Sequence, residues 1–462
     1  MRCRSVSSSL GRCVFIPGTA DAPPSATWRG RASHELLVRS FESEIDLCAA
    51  AVEGGFTRSG VLSPSLLVTL LLFMAADAGR HGYQSVLDAF WDEARRDGLD
   101  LPCARAPAAA SFCNARRKLR PQALRGMLRT IAGGLLARDA RRWRGMRVFA
   151  VDGSRASVGR AEELWRDCGG PTGGGTPQVQ VSTLFELFGE VPLDVDVAPF
   201  AASERAQALT HLDCLRPGDL LVLDRGYPGY DFLRGLLARG LGFAARTPTA
   251  RTFPAVEAFL ASGALDAEIE IAAGRDVLRA HPGEDLPPLR LRAVRLKRFD
   301  GSAVVVLTTL PREGFSRKDV AALYRRRWRI EEHYKLVKSE HFGQRQFHAK
   351  TLDGVRQEIY AQALLVVVTR SLAAAARAEA RRAPMRPAAR VHVKAAVAAV
   401  ASRLVELLLC DDVRRLAELI ETLAERIRRR VEPSRPGRSC PRRSFKPCSK
   451  WHANGRRGAG VR

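Results

Sequence analysis

The chain has 462 residues, 46% of them hydrophobic, so it can bury a large core and is predicted to form about two or three domains. Its formal net charge of +25 favours a polyanionic partner, usually nucleic acid, although an Arg-rich proteome would also explain the charge. The ten cysteines include no C-x-x-C pair, which argues against a structural zinc site, and no apolar run is long enough to span a bilayer. We therefore expect a cytoplasmic protein with reduced thiols and no membrane contact.

The first third of the chain divides into two segments of different composition. Residues 1–32 are rich in Ser, Gly, Pro and Arg, a composition typical of disorder. Residues 33–140 show helical periodicity and are a candidate DNA-binding domain, with packing against the core as the alternative. The candidate helices cover 35–54, 64–78, 82–97, 108–119 and 122–139. One of them ends in the basic run 114–119.

Strand-like patterns begin near residue 146 and then alternate with helices, which predicts a mixed α/β (α+β) domain. The candidate strands are 146–151, 178–187, 191–199, 220–223 and 242–246. Candidate helices at 203–215 and 230–239 separate the later strands. Residues from about 250 to 300 interrupt this order with strand-like runs at 267–271 and 289–296, and a strand at 303–307 follows.

Two aspartates follow candidate buried strands. Asp152 comes directly after the first strand, and Asp224 comes directly after the fourth. An acid just past the carboxyl end of a strand lies at the rim of the sheet, where the active sites of α/β folds collect. Gly153 and Gly226, which follow closely, would let the backbone approach a ligand. A single acid after a strand is usually only a turn residue.

A single long helix is predicted over 316–340, and it begins with a capping box formed by Ser316 and Asp319. One face carries Tyr324, Arg327, Glu331 and Lys338. At about 100° per residue these four positions lie within about 60° of one another. A carboxylate among cations and a phenol is typical of a site that holds a metal ion and grips phosphates. An amphipathic helix with surface ion pairs is the alternative.

The last part of the chain is predicted to be helical and then basic. Helices are expected at 359–377 and 387–409, within a C-terminal helical region over 346–431. Apolar residues between 409 and 427 step alternately by four and three, which is a short coiled-coil pattern and a candidate dimer contact. Packing of that helix on the chain's own core is the alternative. The tail over 432–462 is basic and is expected to be attracted to DNA phosphates.

The three acids occur in the order Asp152, Asp224 and Glu331, and Tyr324 opens the spacing Y-x2-R-x3-E-x6-K. In this order and spacing the chain resembles the DDE transposases of bacterial insertion sequences. More narrowly, it resembles the insertion-sequence-4 family, which is marked by a Tyr-Arg-Glu-Lys signature. Supporting fragments are V-D-G-S at 151–154, L-D-R-G-Y at 223–227 and L-T-T-L at 307–310. The resemblance covers roughly residues 60–450.

The resemblance implies an RNase H-like catalytic core over 141–345, interrupted by a β-rich insertion at about 250–300. It implies that Asp152, Asp224 and Glu331 are the catalytic acids and hold two Mg²⁺ ions, with Mn²⁺ as an alternative. It also implies that the remaining signature residues bind DNA phosphates near the transposon end. Those DNA-binding residues are Tyr324, Arg327 and Lys338.

The activity implied is cleavage at insertion-sequence ends and strand transfer into target DNA, which is cut-and-paste transposition. The partners implied are double-stranded DNA, as terminal inverted repeats and target, and a second copy of the chain in a homodimer on DNA. A bacterial, nucleoid-associated location follows. The alternatives are a non-catalytic, domesticated or decayed DNA-binding derivative and an RNase H-like nuclease with cellular substrates.

The chain departs from the insertion-sequence-4 pattern in its aromatic residues. Relatives cut the second strand through a DNA hairpin and stack a flipped base on a Trp of the insertion. No Trp lies between Asp224 and Arg327. Phe253, Phe259 and Phe299 are the candidates for such stacking, with core packing as the alternative for each. Trp328, on the signature helix, is expected to be a packing residue.

Overall fold

The structure, a computed structural model, describes residues 61–76, 82–138, 141–172, 175–250, 253–297, 302–338, 347–380 and 390–432. The N-terminal segment 1–32, the predicted helix 35–54, and the basic tail beyond residue 432 lie outside the described residues. Within the described ranges, no helix is both long and apolar enough to cross a membrane.

Four helices precede the sheet and correspond to four of the predicted ones. They are α1 (Pro64–Ala76), α2 (Tyr83–Arg96), α3 (Ala109–Lys118) and α4 (Pro121–Arg138). The basic end of α3 is used for packing, because Arg116 is buried and its Nη1 donates to Glu358 Oε1 at 3.1 Å. Its Nε also donates to Gln357 Oε1 at 2.9 Å, so this arginine is not presented to DNA.

The middle segment of the chain alternates strands with short helices, as the sequence predicts. Its first part comprises β1 (Val148–Ser157), α5 (Glu162–Cys168), β2 (Gln178–Glu186), β3 (Val191–Pro199), α6 (Glu204–Thr210), β4 (Leu220–Leu223), α7 (Tyr230–Ala238) and β5 (Gly242–Thr247). Its second part comprises α8 (Pro254–Ala261), β6 (Asp266–Ile271), α9 (Arg275–Ala280), β7 (Leu289–Lys297), β8 (Ala303–Thr308), α10 (Arg317–Arg325) and α11 (Trp328–Val337). Most strand boundaries match their predictions to within one residue, and β1 is the exception.

The eight strands form one sheet in the order β3-β2-β1-β4-β5-β8-β7-β6. Strands β1, β2 and β3 form an antiparallel meander, while β4 and β5 run parallel to β1. This arrangement, with a helix in each parallel crossover, confirms the expected RNase H-like core. The strands of the 250–300 segment pair through β8 with β5, so the insertion extends the core sheet and also contributes two helices.

Both faces of the central strands are buried. Leu221 and Leu223 of β4 join the larger core, which includes the N-terminal and C-terminal helices. Leu220 and Val222 point to the other face, into a smaller core shared with α10 and α11. Since β4 is covered on both sides, its continuous L-L-V-L run is what a buried parallel strand requires. The sheet is therefore a rigid platform for residues at its strand ends.

The C-terminal helical region consists of α12 (Leu352–Ala380), α13 (Val393–Ala401), α14 (Leu404–Leu409) and α15 (Val413–Arg429), with short strands β9 (Arg390–Val391) and β10 (Val431–Glu432). The prediction of one helix over 387–409 is wrong. The two residues of β9 lie within that range, and a turn at 402–403 separates α13 from α14. Leu416, Ile420, Leu423 and Ile427 of the heptad pattern are buried in the chain's own core. The intrachain alternative is therefore confirmed for this stripe, and it is not a free dimer surface.

Candidate active site

Asp152 and Asp224 lie side by side at one edge of the sheet. The parallel ladder between β1 and β4 ends at the pair Val151 and Leu223, so the next residue on each strand is one of the two acids. The prediction that Asp152 follows its strand is wrong. Strand β1 continues to Ser157 because β2 still pairs with it there, whereas its other neighbour, β4, has already ended. Asp152 thus sits within a strand that is paired on one side only.

The predicted single helix over 316–340 is also wrong, because the structure has two helices with a joint at Arg326 and Arg327. Both joint residues keep right-handed helical backbone angles. Around the joint, however, the amide N–H groups of 326, 327, 329 and 330 bond to the carbonyl three residues earlier instead of four. This tighter 3₁₀-type turn separates α10 from α11 without Pro or Gly. The capping box of Ser316 and Asp319 at the start of α10 is confirmed.

The side chains of the predicted helix face stay close together despite the joint. The Tyr324 hydroxyl donates to Asp224 Oδ1 at 3.3 Å. Arg327 Nη2 donates to Glu331 Oε1 at 2.6 Å, and Arg327 Nη1 lies 3.8 Å from Asp152 Oδ2. A single buried guanidinium therefore connects an acid on β1 with the acid on α11, and the phenol of α10 reaches the acid after β4.

Lys338 reaches the same strand from the end of α11, where its Nζ donates to the Ser154 hydroxyl. Burial lowers the pKa of the lysine, and the charge of Asp152 partly offsets that shift. All six predicted site residues are thus gathered around the shared edge of β1 and β4.

Two residues that the sequence interpretation missed complete this edge. Arg246 on β5 places Nη1 3.6 Å from Asp224 Oδ1. The Tyr334 hydroxyl donates to the Asp152 carbonyl at 2.7 Å and fixes α11 to β1. Tyr334 is ten positions after Tyr324, which at about 100° per residue puts it at the margin of the predicted face. A slightly wider helical face would have included Tyr334, whereas no local sequence pattern distinguishes Arg246.

The three acids lie within one another's electric field. Burial raises the pKa of Asp152 to about 6, although Arg327 and the Gly153 N–H favour its charged form. The charges of Asp224 and Glu331 contribute further to that increase. Burial is also the main reason that the pKa of Tyr324 is raised, so this phenol stays protonated and can donate. The edge therefore concentrates negative charge that Arg327 and Arg246 neutralise only in part.

The donor chemistry of this edge fits a hard divalent cation. Carboxylate oxygens are the ligands that Mg²⁺ prefers, and the mutual repulsion at Asp152 is what a cation would relieve. Within the described ranges, however, no group of three or more acidic, His or Cys side chains is positioned as a metal-binding set. Arg327 holds Glu331 instead, so Glu331 would have to leave the guanidinium to become a ligand.

The aromatic residues considered for base stacking have distinct environments. Phe253 and Phe259 are buried, which confirms the core alternative for both. Phe299 lies outside the described residues. Trp328 is 40% exposed, so the expectation that it is a packing residue is only partly right. The centroid of its ring lies 5.7 Å from the Arg327 guanidinium carbon.

The described site lies inside a segment that matches a known protein family. Residues 143–368 match the family model described as "Transposase DDE domain". This segment is therefore similar to transposase DDE domains. All three acids and the three signature residues of the Tyr-Arg-Glu-Lys face fall within it.

The chain is also similar to a solved structure, at low sequence identity. The chain is similar to the solved "Cryo-EM structure of piggyBac transposase synaptic complex with hairpin DNA (SNHP)", with 10% identity and a TM-score of 0.42. That comparison covers 88% of this chain and 87% of the other. No curated protein sequence matches this chain.

Proposed function

We propose that the protein is a cut-and-paste DNA transposase of the insertion-sequence-4 family. It would cleave DNA at the ends of an insertion sequence and join the freed 3′-hydroxyl to target DNA. The observation that carries this proposal is the convergence of Asp152, Asp224 and Glu331 on one sheet edge within a segment similar to transposase DDE domains. The catalytic acids would be these three residues.

The three carboxylates would hold Mg²⁺, with Mn²⁺ as an alternative. Bound there, such ions would activate the attacking oxygen and stabilise charge on the leaving oxygen of a phosphodiester. In the described arrangement Arg327 balances the negative charge of Asp152 and Glu331. Because a phosphate offers the guanidinium the same two-oxygen geometry as a carboxylate, entry of DNA would let Arg327 exchange Glu331 for a phosphate.

Tyr324 and Lys338 are proposed to complete the contact with the DNA backbone. The Tyr324 hydroxyl and the Lys338 ammonium are hydrogen-bond donors placed on either side of Arg327 along the chain. Lys338 would act as a point charge that positions a phosphate, while Tyr324 would orient Asp224 and donate to the backbone. Recognition of the terminal repeats by the helices of residues 33–140, and a homodimer on DNA, are further parts of the proposal.

The test is a nicking assay with the full-length protein. The substrate is a supercoiled plasmid that carries the genomic DNA flanking the coding sequence on both sides, incubated with Mg²⁺ or Mn²⁺. Wild type is compared with Glu331→Gln and with Glu332→Gln, a matched control. Glu332 is the next residue of α11, is exposed, and pairs with Arg329 at 3.0 Å.

We expect metal-dependent nicks at the boundaries of the flanking repeats by wild type and by Glu332→Gln. Glu331→Gln should lose nicking by at least about 10³-fold while binding the same DNA, since a ligand to a catalytic metal contributes several kcal/mol. If no protein nicks with either ion although all bind the repeats, the non-catalytic derivative replaces this proposal. Cleavage at unrelated sites without end preference would favour the nuclease with cellular substrates.

A further inference from the structure

A fourth carboxylate lies against the strand that carries Asp152. Glu204 is the first residue of α6, and its side chain rests on the backbone of Gly153, the residue after Asp152. A Cβ atom at position 153 would be 2.9 Å from Glu204 Oε1 and 2.6 Å from Gln180 Nε2. Real Cβ contacts are longer, so glycine at this position is what allows Glu204 to approach β1 so closely.

Helix α6 is fixed to β2 and to the turn that follows Asp224. Gln180 on β2 donates from Nε2 to Glu204 Oε1 at 3.1 Å. From the next residue of the helix, Arg205 Nε donates to the Gly226 carbonyl at 2.9 Å, in the turn that follows Asp224. The Ser203 hydroxyl caps the helix by accepting from the Ala206 N–H. Glu204 is thus held on a short helix that bonds to β2 and to the turn after β4.

Glu204 differs from the other three acids in its counter-charge. Arg327 lies next to Asp152 and Glu331, and Arg246 lies next to Asp224. Among the described residues Glu204 makes no ion pair, and its partner Gln180 is a neutral amide. A carboxylate without a counter-ion beside another acid favours a cation at that position.

The Tyr227 hydroxyl provides an independent observation at the same place. Tyr227 is 2% exposed, and its hydroxyl has no hydrogen-bond partner among the described residues. After burial itself, the charges of Asp152 and Glu204 are the next causes that raise the pKa of this phenol. A buried hydroxyl without a partner is costly, and it indicates a group that binds there.

We propose that Glu204 is a fourth acid of the active site, and that Glu204, Asp152 and the Tyr227 hydroxyl form a position for a hydrated divalent cation. The inference rests on the proposed function for the role of that cation in DNA cleavage. Glu204 and Asp152 supply oxygen ligands, and Tyr227 supplies a hydrogen bond to a water of the ion or to a carboxylate. The close approach at Gly153 places Glu204 against the residue that follows Asp152.

The test measures cation binding in the absence of DNA. Mn²⁺ is titrated calorimetrically into the full-length wild type, Glu204→Gln and Glu162→Gln. Glu162→Gln is a closely matched control. Glu162 and Glu204 are both exposed, and each is the first residue of a seven-residue helix, α5 and α6 respectively. Melting temperatures of all samples confirm folding, and Tyr227→Phe is the second variant should Glu204→Gln fail to fold.

We expect Glu204→Gln to weaken Mn²⁺ binding by at least about tenfold, and Tyr227→Phe to weaken it in the same direction, as loss of a ligand or of its hydrogen-bonding partner does. Glu162→Gln should bind like wild type. Equal Mn²⁺ affinity in wild type, Glu204→Gln and Tyr227→Phe would overturn the inference.

The nicking assay on the same proteins separates this inference from the proposed function. If wild type nicks and Glu204→Gln matches it in both nicking and Mn²⁺ binding, the inference fails while the transposase proposal stands. If Mn²⁺ binding depends on Glu204 but no protein nicks, the cation position stands and the proposed function fails. If Glu204→Gln loses both while Glu162→Gln keeps both, the two proposals are supported together.

Discussion

Asp152 and Asp194 occupy the same sheet but opposite electrostatic environments. Asp194, on β3, is completely buried and accepts from Arg125 Nε at 2.8 Å, from Arg129 Nη2 at 2.7 Å, and contacts His211 Nδ1 at 2.7 Å. Asp152, on β1, keeps 21% of its side chain exposed and has one guanidinium at 3.8 Å. Asp194 is therefore surrounded by hydrogen-bonding partners, whereas Asp152 has few.

The pKa values of the two acids shift in opposite directions. Burial would raise the pKa of Asp194, but hydrogen bonds from Arg125, His211 and Arg129 lower it overall. At Asp152 burial prevails and the pKa rises to about 6. Charge that is fully paired joins parts of a fold, and charge that is incompletely paired at an open edge is characteristic of a functional site. Because Arg125 and Arg129 belong to α4, the Asp194 network connects the N-terminal helices to the sheet.

The largest effect on stability is expected at the paired acid. Asp194→Asn should lower the free energy of unfolding by about 3–5 kcal/mol, since it leaves two arginines without their buried carboxylate. Urea denaturation at neutral pH measures this change. Asp213→Asn is the control, because Asp213 is a nearby exposed acid whose substitution should change stability by less than about 0.5 kcal/mol. Equal stability of the two variants would mean that the Asp194 network does not hold α4 to the sheet.

For the incompletely paired acid, Asp152, we expect a pH dependence of the opposite sign. The pKa of Asp152 is about 6 in the fold and ordinarily 3.8, so the folded state binds this proton more tightly than the unfolded state. Its contribution therefore increases stability as the pH falls from above 6 towards 4, by at most about 3 kcal/mol. Denaturation of wild type and Asp152→Asn in EDTA between these pH values measures the contribution of Asp152 to stability.

The difference in stability between wild type and Asp152→Asn should increase in favour of wild type as the pH falls. In the same window the contribution of Asp194 should stay constant, because its pKa is lowered and its stabilising effect is lost only on further acidification. A pH-independent difference at Asp152 would remove the contrast between the two regions.

The smallest effect concerns the hydroxyl at the end of the Asp194 network. Ser182 Oγ lies 3.0 Å from His211 Nε2, so a serine, a histidine and an aspartate stand in line. All three are completely buried, which leaves no path for a substrate and makes the set structural. Ser182→Ala should lower the free energy of unfolding by about 1 kcal/mol and leave nicking unchanged. Loss of nicking without loss of stability would contradict this assignment.

The sequence predicts the components of the site better than the backbone that presents them. Strand ends and helical spacing are local properties, so the three acids and the face of Tyr324 could be placed before the structure. The joint at Arg326 and Arg327 could not be placed, because it contains no Pro or Gly and both residues keep helical backbone angles. The extension of β1 to Ser157 was missed because residues 153–157, G-S-R-A-S, show no alternation of apolar and polar side chains.

Residues that act through distant pairing were also beyond local patterns. Glu204 looks like an ordinary acid in the first turn of a helix, and only the sheet brings it to Gly153. Asp194 alternates with valines in β3 as an outward-facing residue would, yet α4 covers that face with arginines. The heptad pattern of α15 was correct as an apolar stripe, but the sequence could not show that its partner is the chain's own core.

The most direct test of the account combines catalysis and stability for Asp152→Asn. The same purified sample is assayed for Mg²⁺-dependent nicking at the flanking repeats and for its melting temperature without metal. The account predicts that nicking falls by at least about 10³-fold while the melting temperature equals or exceeds that of wild type, since the substitution removes a repelled charge. A variant that nicks like wild type, or that loses nicking only because it unfolds, would contradict the assignment of this edge as the catalytic site.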